Sequence, residues 1–148
     1  MTQAKRRILA VDFGERRTGL AATDSTGTIV VPLAAIHHHG LEECVKGVAA
    51  VARERNSETV VVGLPLDSEG GTGQRAVRTL EFVTALRSAI GAQGGCEVVT
   101  CDESFTTDLA HERLRSAGIK AAARKKIADS VAALVLLERY RGQQDPTA

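Results

Sequence analysis

The chain has 148 residues, 43% hydrophobic and 25% charged, which suits one globular domain and excludes disorder, collagen or coiled coil for the chain as a whole. No apolar run approaches the roughly 20 residues that span a bilayer. With 19 Lys and Arg against 18 Asp and Glu, the net charge is +1, so any attraction to nucleic acid has to be local; aromatics at 3%, with no Trp, argue against a base-stacking surface.

Ile8-Leu-Ala-Val runs straight into Asp12, which does not suit a signal peptide, so a cytoplasmic protein is expected. That run, Gly19 to Asp24, and Thr28 to Leu33 read as three consecutive strands, with the turn-forming Asp24-Ser-Thr-Gly27 between the last two. From Leu41 to about Arg55 the pattern is helical, with Val45, Val48 and Val51 recurring at threes and Ala49 and Ala52 filling the same face. Thr59-Val-Val-Val-Gly63 is too apolar to face water and predicts a strand covered on both sides. A helix is expected from near Thr72 to about Ile90, with Val77, Leu80, Val83 and Leu86 inward, followed by a strand at Cys96 to Cys101. Thr106 or Thr107 caps a further helix that Gly118 stops, and a last helix runs from about Ala121 to Tyr140, ahead of a frayed tail from Gly142. The order βββ-α-β-α-β-α-α predicts an α/β fold: a five-stranded mixed sheet, a meander followed by parallel crossovers, with helices on both faces.

Cys44, Cys96 and Cys101 have no metal-type spacing and read as reduced core thiols. The run His37-His38-His39 alternates faces in an extended segment, so it is set aside as a metal site.

The chemistry is expected at the C-terminal ends of the strands, where crevices form in α/β sheets. Asp12 ends the first strand beside Gly14, which frees the backbone for close approach of a ligand. Asp102-Glu103 ends the last strand, and alternation prevents both carboxylates from pointing one way while the strand continues. Asp129 shares a helical stripe with Ala132, Ala133 and Leu136, where a buried carboxylate needs a partner, a hydrogen bond or a metal. The bland alternative puts Asp129 at an exposed helix start, paired with Lys125 or Lys126. Carboxylates gathered from these three places repel unless cations separate them, and oxygen-only ligands suit Mg²⁺ or Mn²⁺. Such a cage points to phosphodiester hydrolysis by an activated water. Arg113, Arg115, Lys120, Arg124, Lys125 and Lys126 lead into Asp129 without an intervening acid, and Lys5, Arg6, Arg7, Arg16 and Arg17 form a second basic group taken to surround Asp12. Both groups suit contacts to a phosphate backbone.

Val11-Asp-Phe-Gly14 with Gly19-Leu-Ala, Val62-Gly-Leu-Pro-Leu66, Asp102-Glu103 with Thr106-Thr107, and Ile127-Ala-Asp129 with Ala132-Ala133 together resemble the RuvX/YqgF family, over about Ile8 to Tyr140. Its members are described as Holliday junction resolvases and as pre-16S rRNA nucleases. The resemblance implies an RNase H-like fold, and Asp12, Glu103 and Asp129 as an acidic triad holding Mg²⁺ or Mn²⁺. It selects Glu103 over Asp102, which spacing alone leaves open. It implies a nucleic-acid partner, structured RNA such as pre-16S rRNA or branched DNA. The dimers formed by the related RuvC resolvases make a homodimer a candidate arrangement. Ser104 stands where the family usually has Arg, so another base such as Lys126 or Arg16 has to substitute in binding phosphate, or activity is weaker. Two other classes are weighed. Asp12-x-Gly14 with Gly19 also resembles the first phosphate motif of actin-like and sugar-kinase-like ATPases, which need two lobes. The third class is a non-catalytic module that binds RNA or a junction.

Overall fold

In a computed structural model of the chain, residues 6–65, 73–91, 95–102 and 121–144 are described, those at 121–129 and 144 by their backbone alone. The elements in chain order are β1 (Ile8–Asp12), β2 (Arg17–Thr23), β3 (Val30–His37), α1 (Leu41–Glu54), β4 (Thr59–Leu64), α2 (Gln74–Gly91), β5 (Glu97–Asp102) and α3 (Ala121–Gln144). The helix expected between Thr106 and Gly118 lies outside the described residues, as do residues 145–148 of the tail. Gly142 does not start the fray, since α3 continues to Gln144.

The strands form one sheet in the order β3-β2-β1-β4-β5. β1, β2 and β3 are an antiparallel meander, whereas β4 lies parallel to both β1 and β5. The predicted mixed sheet is therefore the observed one. β3 extends past the expected Leu33 to His37, because its partner β2 begins at Arg17, which is paired with His37.

Strand alternation divides the core in two. Leu9, Val11, Val60, Val62 and Val98 face α1 and α2, packing on Val45, Val48, Phe82, Val83 and Leu86. Ile8, Ala10, Val61 and Cys101 face the other way, onto Ala133, Leu136 and Leu137 of α3. β4 is buried on both faces, which is why it reads as an unbroken β-branched run. Ser130 of α3 donates its hydroxyl to the Leu33 carbonyl on β3, and the Cys101 thiol on β5 lies 3.7 Å from Gln143 Oε1. α3 therefore crosses its face of the sheet from one edge strand to the other.

One expectation about α2 is overturned. Val77 and Leu80 are 47% and 40% exposed, and the inward residues are Ala76, Thr79, Phe82, Val83, Leu86 and Ile90. A stripe read at strict threes slips about 60° per step around a 3.6-residue helix, so only its Val83 and Leu86 end meets the core.

Candidate active site

β1, β4 and β5 run parallel, so their C-terminal ends form one rim. Asp12 is the last residue of β1, half-buried and paired with Gly19 of β2. Because Leu9, Val11 and Phe13 pack toward α1 and α2, alternation turns Asp12 to the α3 face. On β5, Val99 and Cys101 face α3, and Asp102 is exposed on the opposite side of the strand. β1 and β5 are two inter-strand steps apart, about 10 Å.

The remaining site candidates are placed unequally. Glu103, Arg113, Arg115 and Lys120 lie outside the described residues. Asp129 is in α3, more than two turns beyond Ala121, so its backbone position is not the exposed helix start of the bland alternative. Its neighbour Ser130 is buried against Leu33, which is level through Leu20 with Val11 of β1. Arg124, Lys125 and Lys126 occupy the second turn of the same helix. Among the described residues no three His, Cys, Asp or Glu side chains gather closely enough to hold a metal ion.

The basic group taken to surround Asp12 is split by the strand itself. Arg6 pairs with Glu97, and Arg7 with Glu58 and the Asn56 carbonyl. Both stand at the opposite end of β1, roughly 17–20 Å from Asp12 at the usual strand rise. Among the described members of the group, Arg16 and Arg17 stay at the Asp12 end, both exposed, while Lys5 lies outside the described residues.

The loop after Asp12 is held from within. Thr18, fully buried, accepts from the Gly14 N–H at 3.3 Å, lies 3.0 Å from His38 Nε2 and 3.2 Å from Cys44 Sγ. The His38 N–H donates to the Arg16 carbonyl at 3.0 Å. Phe13 stacks on Phe82 at 4.7 Å between ring centres and on His38 at 6.3 Å. Sequence reasoning singled out neither Thr18 nor His38 as a site residue. The available signal was alternation in His37-His38-His39, which buries the middle residue and exposes the outer two.

A cleft of about 290 Å³ opens beside this network on the α1/α2 side of the rim, lined among others by Phe13, Arg16, His38, Gly40, Leu41 and Arg78. Burial raises the Cys44 thiol above its usual range, opposed in part by the Thr18 hydrogen bond. Cys44 and Cys101 are buried, Cys96 is half-buried, and all three are free thiols, as expected.

Comparison with known proteins follows the same lines. The sequence profile of the RuvX family, described as Holliday junction resolvase, matches residues 6–142. A Chloroflexus aurantiacus protein named "Putative pre-16S rRNA nuclease" is 38% identical over 133 residues, covering 90% of this chain and 84% of that one. Among solved structures, T. thermophilus RuvC in complex with Holliday junction substrate is similar with a TM-score of 0.55 at 15% identity, covering 93% of this chain and 96% of that one. The fowlpox virus Holliday junction resolvase is similar with a TM-score of 0.57 at 12% identity, covering 93% and 98%. The likeness to these two structures is one of fold, and the fold is RNase H-like, as the family resemblance implies. With the family profile spanning nearly the whole chain and a relative at 38% identity, this chain belongs to the RuvX family.

Proposed function

We propose that this protein is a metal-dependent nuclease that hydrolyses phosphodiester bonds, acting in maturation of the 5′ end of pre-16S rRNA. The observation that carries this reading is Asp12, a half-buried carboxylate at the rim end of β1, turned toward the face that α3 covers. Two further carboxylates complete the proposed set. Glu103, which follows Asp102 in the sequence, is supplied by the family resemblance, and Asp129 adjoins Ser130, which lies level with the end of β1. An all-carboxylate donor set fits Mg²⁺ or Mn²⁺. Two such ions, when bound, supply an activated water and stabilise the leaving oxygen. Asp12, Glu103 and Asp129 would hold them. Arg16, Arg17 and the basic stretch from Arg113 to Lys126 would hold the strand through its phosphates, without reading sequence. The name of the Chloroflexus relative supports RNA as the substrate.

A second reading, cleavage of four-way DNA junctions, is favoured by the family description and by the shared fold with RuvC. The deciding experiment offers the purified protein an RNA carrying the 16S 5′ leader and a synthetic four-way junction, each with Mg²⁺, Mn²⁺ or EDTA. The expected result is metal-dependent cleavage of the RNA, lowered roughly 100-fold or more in Asp12→Asn with an unchanged circular dichroism spectrum. Full activity in that variant overturns the assignment of Asp12. Junction cleavage alone transfers the function to the second reading. Tight binding of either substrate without cleavage makes the protein a non-catalytic module.

A further inference from the structure

We propose that the cleft between the Asp12 loop, the start of α1 and the first turns of α2 is a phosphate-binding subsite for the nucleic-acid strand, an inference that rests on the nuclease reading. His38 is 3% exposed and lines the cleft, yet its Nδ1 has no hydrogen-bond partner among the described residues. A buried polar nitrogen without a partner calls for a ligand.

Which nitrogen carries the proton follows from the direction of the Thr18 bond. The Thr18 hydroxyl has one proton and two lone pairs. It receives the Gly14 N–H, and at the 3.2 Å contact with Cys44 Sγ either group can be the donor. In the proposed arrangement the hydroxyl proton goes to His38 Nε2 at 3.0 Å, its shortest contact, in preference to the Gly14 carbonyl at 3.5 Å. With Nε2 accepting, the imidazole proton sits on Nδ1, and the orphan is a donor. A donor in search of a partner fits a phosphate oxygen.

The rest of the lining agrees. α1 begins after Gly40 without a side-chain cap, and its first intrahelical bond is from the Cys44 N–H to the Gly40 carbonyl. The amides of Leu41 to Glu43 are left at the positive end of the helix dipole, and Gly40 and Leu41 line the cleft. Among the described residues nothing lies within 4 Å of where a Cβ on Gly40 would stand, so a ligand can approach the backbone there. Arg16 adds an exposed guanidinium. Of the acids nearby, Glu15 and Glu81 also line the cleft, Glu15 paired with Arg78 and Glu81 exposed, while in the first turn of α1 Glu42 pairs with Lys46 and Glu43 accepts from the His39 N–H. Phe13 separates this cleft from Asp12 by a single peptide unit, on the opposite face of the sheet. A strand draped over the rim would therefore meet Asp12 on one side and the cleft on the other.

The test is made without metal, so that cleavage plays no part. Inorganic phosphate, and separately a short single-stranded RNA in EDTA, are titrated into ¹⁵N-labelled protein. The expected result is that both probes move the His38 ring nitrogens and the Leu41 and Glu42 amides, with the RNA displacing phosphate. Arg16→Ala, an exposed change, should weaken phosphate binding roughly tenfold. His38→Phe should abolish the response, and its folding is checked by the stacked Phe13 and Phe82 ring resonances. Shifts that miss His38 and the α1 amides overturn the subsite. Phosphate binding that RNA fails to displace overturns the strand assignment and leaves a site for free phosphate. A protein that cuts neither RNA nor junction but shows the His38 shifts loses the nuclease reading and keeps the anion site, so the two failures are separable.

Discussion

A Cβ placed on Gly14 would collide with the backbone carbonyl oxygen of Arg17. The obstacle is main chain and the two residues belong to one tight loop, so no side-chain rotation relieves it.

Gly14→Ala should therefore force the loop open, separating the Gly14 N–H from Thr18. The expected cost is about 1–3 kcal/mol in urea denaturation, together with loss of cleavage out of proportion to the loss of stability. An alanine variant with wild-type stability and activity would show that the loop relaxes freely.

Thr18→Val keeps the shape of the buried side chain and removes its hydroxyl. The Gly14 N–H and His38 Nε2 then lose a partner at a fully buried position. Stability should fall by about 1–3 kcal/mol, and Thr18→Ser should recover most of it. Equal stability of the valine and serine variants would dismiss the hydroxyl network.

The phase of α2 is tested by a pair of truncations. Leu86 is fully buried between the sheet and α1, and Leu86→Ala should cost about 2–5 kcal/mol. Val77 is exposed, and Val77→Ala should stay within about 0.5 kcal/mol of wild type. Comparable losses in the two would return the helix to the phase expected from its threefold spacing.

Asp24 predicts a pH effect of defined sign. The Thr26 hydroxyl, then the Thr28 amide, hold its carboxyl below the ordinary aspartate value. A folded value lying below the unfolded one contributes stability that is complete above the unfolded pKa and lost as pH falls through the folded one. Carboxyl ¹³C titration should place the Asp24 midpoint below that of an unstructured aspartate, and Thr26→Ala should raise it. An unmoved midpoint in the variant would remove Thr26 as the main cause.

Most of the architecture was legible because periodicity and burial agree in this chain. The run Thr59 to Gly63 had to be covered on both faces, and Val45, Val48 and Ala52 marked the inner side of α1. α2 was misread for a local reason: its buried positions include Ala76 and Thr79, which carry little hydrophobic signal, while the exposed Val77 and Leu80 carry much. The position of Asp12 at the end of β1 was legible, because an apolar run stops there at a carboxylate. The grouping of Arg6 and Arg7 with it failed because nearness along a chain is not nearness in space when a strand intervenes. The pairing of His38 with Thr18 was beyond reach, since the bond between them joins β2 to the β3–α1 junction, and one-dimensional spacing contains no such pairing.

Asp12 and Phe13 leave β1 on opposite sides, one toward α3 and the other beneath α1 and α2. A single-residue deletion within β1 would carry Phe13 into the place of Asp12 on the α3 face and Asp12 into the place of Val11, in the core that holds Phe82 and Val83. The strand is locked against such a slip by neighbours on both flanks, β2 and β4, so the handedness of the rim is guarded by the sheet as a whole.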